Sequence, residues 1–557
     1  MKMNKFTTLS AVLFLTTMAK AQDLNTAIKA IDAEKYENAK SLLKNIIKSN
    51  SNNGKAAFLL GNVYLKQDYA DSAKVAFNNG LAASDDGKLN NIGLGQLDLD
   101  RGDAAAAQSK FEEVTKSVKK KDITPYVYVA YAYMNSEKPN YTAAIAQLKK
   151  AKELIGNTVN ADIDLALGDV YYKSKNQNES YSAYRDALLA DSGSVRAKMQ
   201  QGVLLKGAKS YDEAVKLFNE VIATNANYGP VYRELAETHY NWAMNKPSTY
   251  DDNIKKALGY YEKYMQMTDY SLASRMRHAD FLILAKDYKA LETEANEMKK
   301  LDNVNPRILR YLGYAAYENG NYDGAIKPLS DFIGKGVKVI QADHYYLGLA
   351  KIAKATAVAD KTDQTLFQSG YNDLKGAVTA EYTLANSLNE LGKKFFAAKN
   401  YSAAASIFEL GISNPEIKYF DENNLYYAFT VYTLNRGKSL KELDVTSMEK
   451  ASLALDKVIA SDPSYAESYI VKARINSALE KDAIMAENYT KYADLITAKG
   501  TEEVTKNKSK MVEAYNGLAA HYANTDKTKA IEYFDKTLAL DPTNQYALDS
   551  LKVLRKK

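Results

Sequence analysis

Apolar residues recur along this chain at helical spacing, and the pattern breaks off and restarts at a fixed interval. It is clearest in Gly54–Gly87, GKAAFLLGNVYLKQDYADSAKVAFNNGLAASDDG. Counted from Gly54, small or apolar residues fall at place 4 (Ala57), 7 (Leu60), 8 (Gly61), 11 (Tyr64), 20 (Ala73), 24 (Phe77) and 27 (Gly80). Steps of three and four put such residues on one stripe of a helix. The polar stretch Gln67–Asp71 separates two such stripes, which predicts a pair of helices joined by a short turn. The places return at a step of 34 residues: Ala39, Ala73 and Ala107; Leu43, Phe77 and Phe111; Gly61 and Gly95. One pair cannot bury its apolar faces alone, so a repeat of this kind implies stacking. The small residue at place 8 lets the second helix approach the first, and the one at place 20 marks where the axes cross. The aromatic at place 24 and the apolar residue at place 27 fill the gap toward the next pair.

Decayed copies continue along the chain. A fourth pair, near 123–155, has a lengthened turn at Asn135–Asn140, and the fifth and sixth begin near Ala161 and Val195. The seventh starts at Gly229 and carries a longer link, Asn245–Asn253. The eighth is degenerate, with Leu291 where alanine is expected, and the ninth is sharp again at Gly313, Ala325 and Phe332. Past Gly336 the period drifts. The polar stretch Lys361–Ser369 reads as a loop leading into the next helix, and Arg436–Thr446 as an irregular insertion. Asp462-Pro463 and Asp541-Pro542 mark helix stops before new units.

A 34-residue helix pair with these small and aromatic places resembles the tetratricopeptide repeat. The resemblance covers residues 22–557 and implies an all-α fold. That fold is an α-solenoid, a right-handed superhelix of about 14 TPR-like pairs closed by a capping helix over Gln545–Lys557. The expected organisation is a signal peptide at 1–21, a regular array at 22–340, and a second part at 341–557 with the insertions and the cap.

The N-terminus sharpens this. Lys2 and Lys5, the short apolar run Phe6–Met18 and the small-x-small motif ending at Ala21 read as a secretory signal, with Gln22 as the mature start. Removing 1–21 takes away Lys2, Lys5 and Lys20 and no acid, so the formal charge falls from +6 to +3. A nearly balanced chain does not imply nucleic-acid binding. With no cysteine there is no disulfide, no thiolate metal site and no lipoprotein anchor, and no later stretch reaches membrane-span length. The array resembles exported repeat proteins of Gram-negative bacteria. That likeness implies a periplasmic protein, or alternatively a secreted or loosely outer-membrane-associated one, whose partners are other proteins of the cell envelope.

Candidate chemistry changes little. His239, His278, His344 and His521 lie in separate units, so no metal site is expected. Asp98–Asp103 lacks the glycine and the twelfth-place glutamate of a calcium loop, and its Arg101-Gly102-Asp103 falls in a repeat turn. Gly437-Lys438-Ser439 has no first phosphate-loop glycine, because Tyr432 stands there. Ser447 and Lys450 have the spacing of a penicillin-recognising acyltransferase but none of its other motifs. No catalytic residue and no cofactor is expected.

In the tetratricopeptide family the concave groove is lined by places 2, 5, 9, 12 and 13 of the first helices. The resemblance therefore nominates Lys55, Phe58 and Asn62 in the second pair, Asp162, Asp169, Tyr172 and Lys173 in the fifth, and Arg307, Arg310, Tyr314 and Tyr317 in the ninth. Tyrosine and arginine suit recognition. Lys55 and Asn62 match part of a carboxylate clamp, but Leu89 and Gly93 break it in the next pair. The expected function is a non-catalytic scaffold that binds a peptide or protein segment along the concave face. The alternatives are a glycan-binding protein using some of its 43 tyrosines as platforms, and an enzyme with its site in residues 355–384.

Overall fold

A computed structural model describes residues 24–556, apart from 117, 120, 270, 303, 359 and 360. The signal sequence and the Ala21–Gln22 junction lie outside the described residues. Among the described residues fourteen helix pairs follow one another, from 24–32 with Tyr36–Ser49 to Lys508–Tyr522 with Lys527–Leu540, and Gln545–Leu554 closes the series. The architecture is the tetratricopeptide-type α-solenoid that the sequence implies. The chain packs as two units, Met1–Asn303 and Val304–Lys557, with eight pairs in the first and six in the second. The break in packing comes one pair before the change in regularity near 340.

The repeating places have the physical roles their sizes suggest. Ala39, Ala73, Ala107, Ala144, Ala214, Ala325, Ala404 and Ala530 are wholly buried at the helix crossings. At place 8 the ring of place 24 lies directly on the glycine. A Cβ on Gly61 would stand 2.2 Å from the Phe77 ring, and one on Gly168 would stand 2.4 Å from that of Tyr184. Phe77 also fills the space over Gly93 in the next pair, so a single ring seals both the pair and the stacking joint. The degenerate eighth pair keeps its crossing with Leu291 fully buried in place of alanine.

The turn between the two helices of a pair repeatedly contains one left-handed residue. Glu34, Asp68, Lys175, Lys209 and Lys286 hold φ between +57° and +63°, and Gly102 and Gly320 occupy the same place with φ of +86° and +81°. The second helix often begins at a side-chain cap. Asn140 accepts from the Ala143 amide and Asn400 from the Ala403 amide, at 3.0 and 3.2 Å.

One expected loop is helical. Asp363 caps the Leu366 amide at 3.0 Å and the helix runs Gln364–Ala380, so it takes in most of Lys361–Ser369. Its polar residues face solvent while Phe367, Gly370 and Leu374 are buried. Residues 364–380 are therefore a stacking helix of the tenth pair. The Arg436–Thr446 insertion is irregular as far as Asp444, whose carboxylate caps the following helix at Ser447.

Candidate functional site

In the first unit the first helices bring distant charged residues together. Asp169 lies near the end of Ala161–Lys173 and is buried. It accepts from the Tyr184 hydroxyl at 2.9 Å and from the Tyr131 hydroxyl at 3.3 Å, and it is ion-paired with Arg196 of the next pair. Arg196 also approaches Asp32 of the first pair at 3.9 Å. Lys173 donates to the Asn135 Oδ1 at 2.8 Å.

A second cluster joins the first pair to the seventh. The Arg233 Nη1 donates to both oxygens of Glu34, at 2.6 and 2.8 Å, and the Tyr264 hydroxyl adds a third bond at 2.8 Å. The Glu37 amide donates to the Asp269 carboxylate at 2.8 Å, and the Asp269 amide to the Glu34 carbonyl at 3.3 Å. These partners lie about 200 residues or more apart. The first unit therefore winds far enough for its first pair to clasp its seventh. Beside the clasp, Glu234 binds Lys206 at 2.6 Å and Arg233 at 3.3 Å. Burial pushes the Glu234 carboxyl up, but these two cations outweigh it and hold the group below its ordinary value.

In the second unit, Asp343 is wholly buried and takes four bonds. Arg310 donates through Nε and Nη2 at 2.7 and 2.8 Å, the Tyr314 hydroxyl at 2.8 Å and the Ile340 amide at 2.8 Å. The Tyr314 ring stacks on Tyr346 with centroids 4.0 Å apart. Further along, Arg474 and Glu513 form a two-bond pair between consecutive first helices at 2.7 Å each, and Lys510 pairs with Glu467 at 2.7 Å.

Several residues nominated for the groove are thus spent inside. Phe58 is 1% exposed and meets Tyr128 edge-on, so it is core. Asp169, Arg310 and Tyr314 are buried, with their polar atoms committed to neighbouring pairs. Asp162, Tyr172 and Lys173 are exposed, and Lys55, Asn62, Arg307 and Tyr317 are half-exposed. Arg307 donates to the Tyr311 hydroxyl at 3.0 Å, and Tyr317 meets Tyr346 edge-on. Asp32, Glu34, Lys66, Arg196 and Arg233 were not nominated. Asp32, Lys66 and Lys173 all stand at place 13, a recurrence the 34-residue step contained. The meeting of Glu34 with Arg233 depends on curvature, which no repeat pattern encodes.

Two histidines have structural surroundings. His239 lies between Trp242 and Tyr260, with ring centroids at 6.0 and 5.5 Å, and its Nδ1 is 2.7 Å from Asn253; burial lowers its pKa. His278 has Glu294 at 3.4 Å. The Asp98–Asp103 turn is closed by Asp98 pairing with Lys110 at 2.6 Å and by Asp103 capping the Ala106 amide at 3.0 Å. Among the described residues no group of three or more His, Cys, Asp or Glu could hold a metal ion, and no helix is long and apolar enough to cross a membrane.

No family model matches the chain, and no curated protein does. Among solved structures, it is similar to the C-terminal part of a TPR repeat-containing protein from Cytophaga hutchinsonii. That match has 25% identity over 49% of this chain and 98% of the other, with a TM-score of 0.29. It is also similar to pilF of Pseudomonas aeruginosa, at 18% identity over 41% and 97% of the two chains and a TM-score of 0.30. Human IFIT1, solved as a dimer with PPP-AAAA, matches at 13% identity over 57% and 73%, with a TM-score of 0.35.

Proposed function

We propose that this tetratricopeptide-type α-solenoid is an exported, non-catalytic scaffold that holds a segment of another cell-envelope protein on its first-helix faces. The observation that supports this is a division of labour within each first helix. The apolar places are used up in stacking, whereas Asp162, Tyr172 and Lys173 of the fifth pair remain exposed, Tyr172 by 40%. An exposed tyrosine beside charges of both signs offers contact area at little rotamer cost. Solenoids use such faces for extended binding surfaces.

The glycan alternative draws no support from the most closely stacked rings. Tyr314 lies flat on Tyr346, Tyr522 on Tyr533 and Tyr426 on Phe408, so these rings present no open stacking face on that side.

The test is a photo-crosslinking residue placed at Tyr172 in the full chain, expressed in its native cell. A discrete protein adduct from the envelope fraction, lost when Asp162 and Lys173 are both changed to alanine, is the expected result. Adducts from positions on the second helices, with none from 172, would refute the assignment.

A further inference from the structure

A cavity of about 260 Å³ lies where the second pair stacks on the first. Its floor is apolar. Ile47 comes from Tyr36–Ser49, Ala57 and Leu60 from Gly54–Lys66, and Ala76 from Ala70–Leu81. Ile47 is half-buried and the other three are buried. Ala57 and Leu60, at places 4 and 7, stand on the helix stripe opposite Lys55, Phe58 and Asn62. The cavity therefore lies away from the groove places of the first helices.

The rim is basic. Lys44 and Lys48 line the cavity one helical turn apart on Tyr36–Ser49, and both are exposed. The Lys44 Nζ lies 5.9 Å from the Tyr64 ring, a contact that leaves its hydrogen-bond donors unspent. Neither lysine forms an ion pair among the described residues, and none of the described residues lining the cavity is acidic. Lys40, one turn earlier on the same helix, differs: its ammonium is spent on Glu37 at 2.6 Å. Like charges one turn apart repel, and an anion bound between them relieves the repulsion.

Size and chemistry together define the occupant. At about 30 Å³ per water-sized group, the cavity admits roughly eight or nine non-hydrogen atoms. Donors from a single helix reach one edge of a head group, which suits the two oxygens of a carboxylate. We propose that the cavity between the first and second pairs binds a free short-chain aliphatic carboxylic acid. Its chain lies on Ile47, Leu60 and Ala76, and its carboxylate sits between Lys44 and Lys48. The site shares no residue with the face around Tyr172, so an adduct there can succeed or fail whatever the acid does.

The experiment is calorimetric titration of the full chain with acetate, butanoate, hexanoate, octanoate and decanoate at matched ionic strength, with 1-hexanol as the uncharged comparison. The expected result is one saturable site. Affinity rises roughly fourfold per buried methylene as far as hexanoate and levels off by decanoate, where the chain outgrows the cavity. Hexanol binds roughly tenfold more weakly than hexanoate, as loss of the charge-assisted bonds requires. Lys44→Gln and Lys48→Gln each weaken hexanoate binding several-fold, and the double variant abolishes it. Lys74→Gln, at an exposed position that does not line the cavity, keeps it. These three lysines are exposed, so the variants keep their fold. Ala76→Leu fills the floor and also abolishes binding, in a protein whose melting curve shows it folded. No saturable binding of any acid, affinity that still climbs through decanoate, hexanol binding as tightly as hexanoate, or a double variant that binds like the wild type would each overturn the proposal. An N-acetylated tripeptide ending in leucine that binds more than about tenfold tighter than hexanoate would overturn the free acid as occupant and give the cavity to a chain end.

Discussion

At the scale of single residues, function and packing compete for the same side chains. Arg310 and Tyr314 stand at groove places, and their residue types suit recognition. What decides their role is Asp343 in the next pair, which receives three of their bonds while wholly buried. A carboxylate in that position leaves both groups nothing to offer a partner. Asp343→Ala is expected to cost about 3–5 kcal/mol, because it strands a buried guanidinium; chemical denaturation of the variant checks this. Arg310→Ala should cost a similar amount while leaving crosslinking at Tyr172 unchanged. None of this was legible in the sequence, because Asp343 lies 33 residues beyond Arg310 and its orientation comes from stacking. The glycine places, by contrast, were legible. A residue without a side chain recurring at place 8 has one simple explanation, and the ring found over Gly61 or Gly168 supplies it.

At the scale of elements, the succession of helix pairs was read from periodicity, most clearly before residue 340, and the exceptions have local causes. The stretch Lys361–Ser369 is polar because its helix presents one narrow apolar edge, Phe367, Gly370 and Leu374, to the tenth pair. A count of polar residues mistakes such a helix for a loop, although the Asp363 cap was a usable signal. The turns show another property of the repeat. A left-handed conformation recurs at the same place in many pairs, yet in most of these turns the residue is charged rather than glycine. For Lys209, at φ +63° and exposed, the conformation carries a cost that glycine would not have. Lys209→Gly should therefore stabilise the protein by about 1 kcal/mol, an uncommon sign for a glycine substitution. Thermal and urea melts of this variant beside Gly102→Ala, expected to shift the other way, would show whether the turn geometry is fixed by the fold.

At the scale of the whole molecule, two bodies of repeats behave differently. The second unit is bound by ion pairs between consecutive pairs, such as Arg474 with Glu513. The first adds the clasp of Glu34, Arg233 and Tyr264, with Glu234 and Lys206 behind it. This gives the first unit a particular acid sensitivity. The folded Glu234 titrates below its ordinary value of 4.5, so its contribution is complete above that pH. The contribution fades as pH falls below 4.5 toward the lower folded value, where the folded form too takes up the proton. Melting curves from pH 6 down to 3 should show the unfolding of residues 24–302 moving to lower temperature first. Glu234→Gln should flatten that acid limb, and hydrogen exchange resolved by segment would assign it. An unchanged acid limb in the variant would remove Glu234 as its cause.

The clasp has one more implication, for how such a chain can change over time. An open stack of repeats tolerates the gain or loss of one unit by duplication or deletion, since each unit needs only its neighbours. A first unit whose opening pair must meet its seventh has lost that freedom. Removing 34 residues anywhere between them would carry Arg233 and Asp269 out of reach of Glu34 and Glu37. The number of repeats before residue 269 is therefore a constrained quantity, and variation in length is expected to collect in turns such as Asn135–Asn140, where extra residues do not alter the winding.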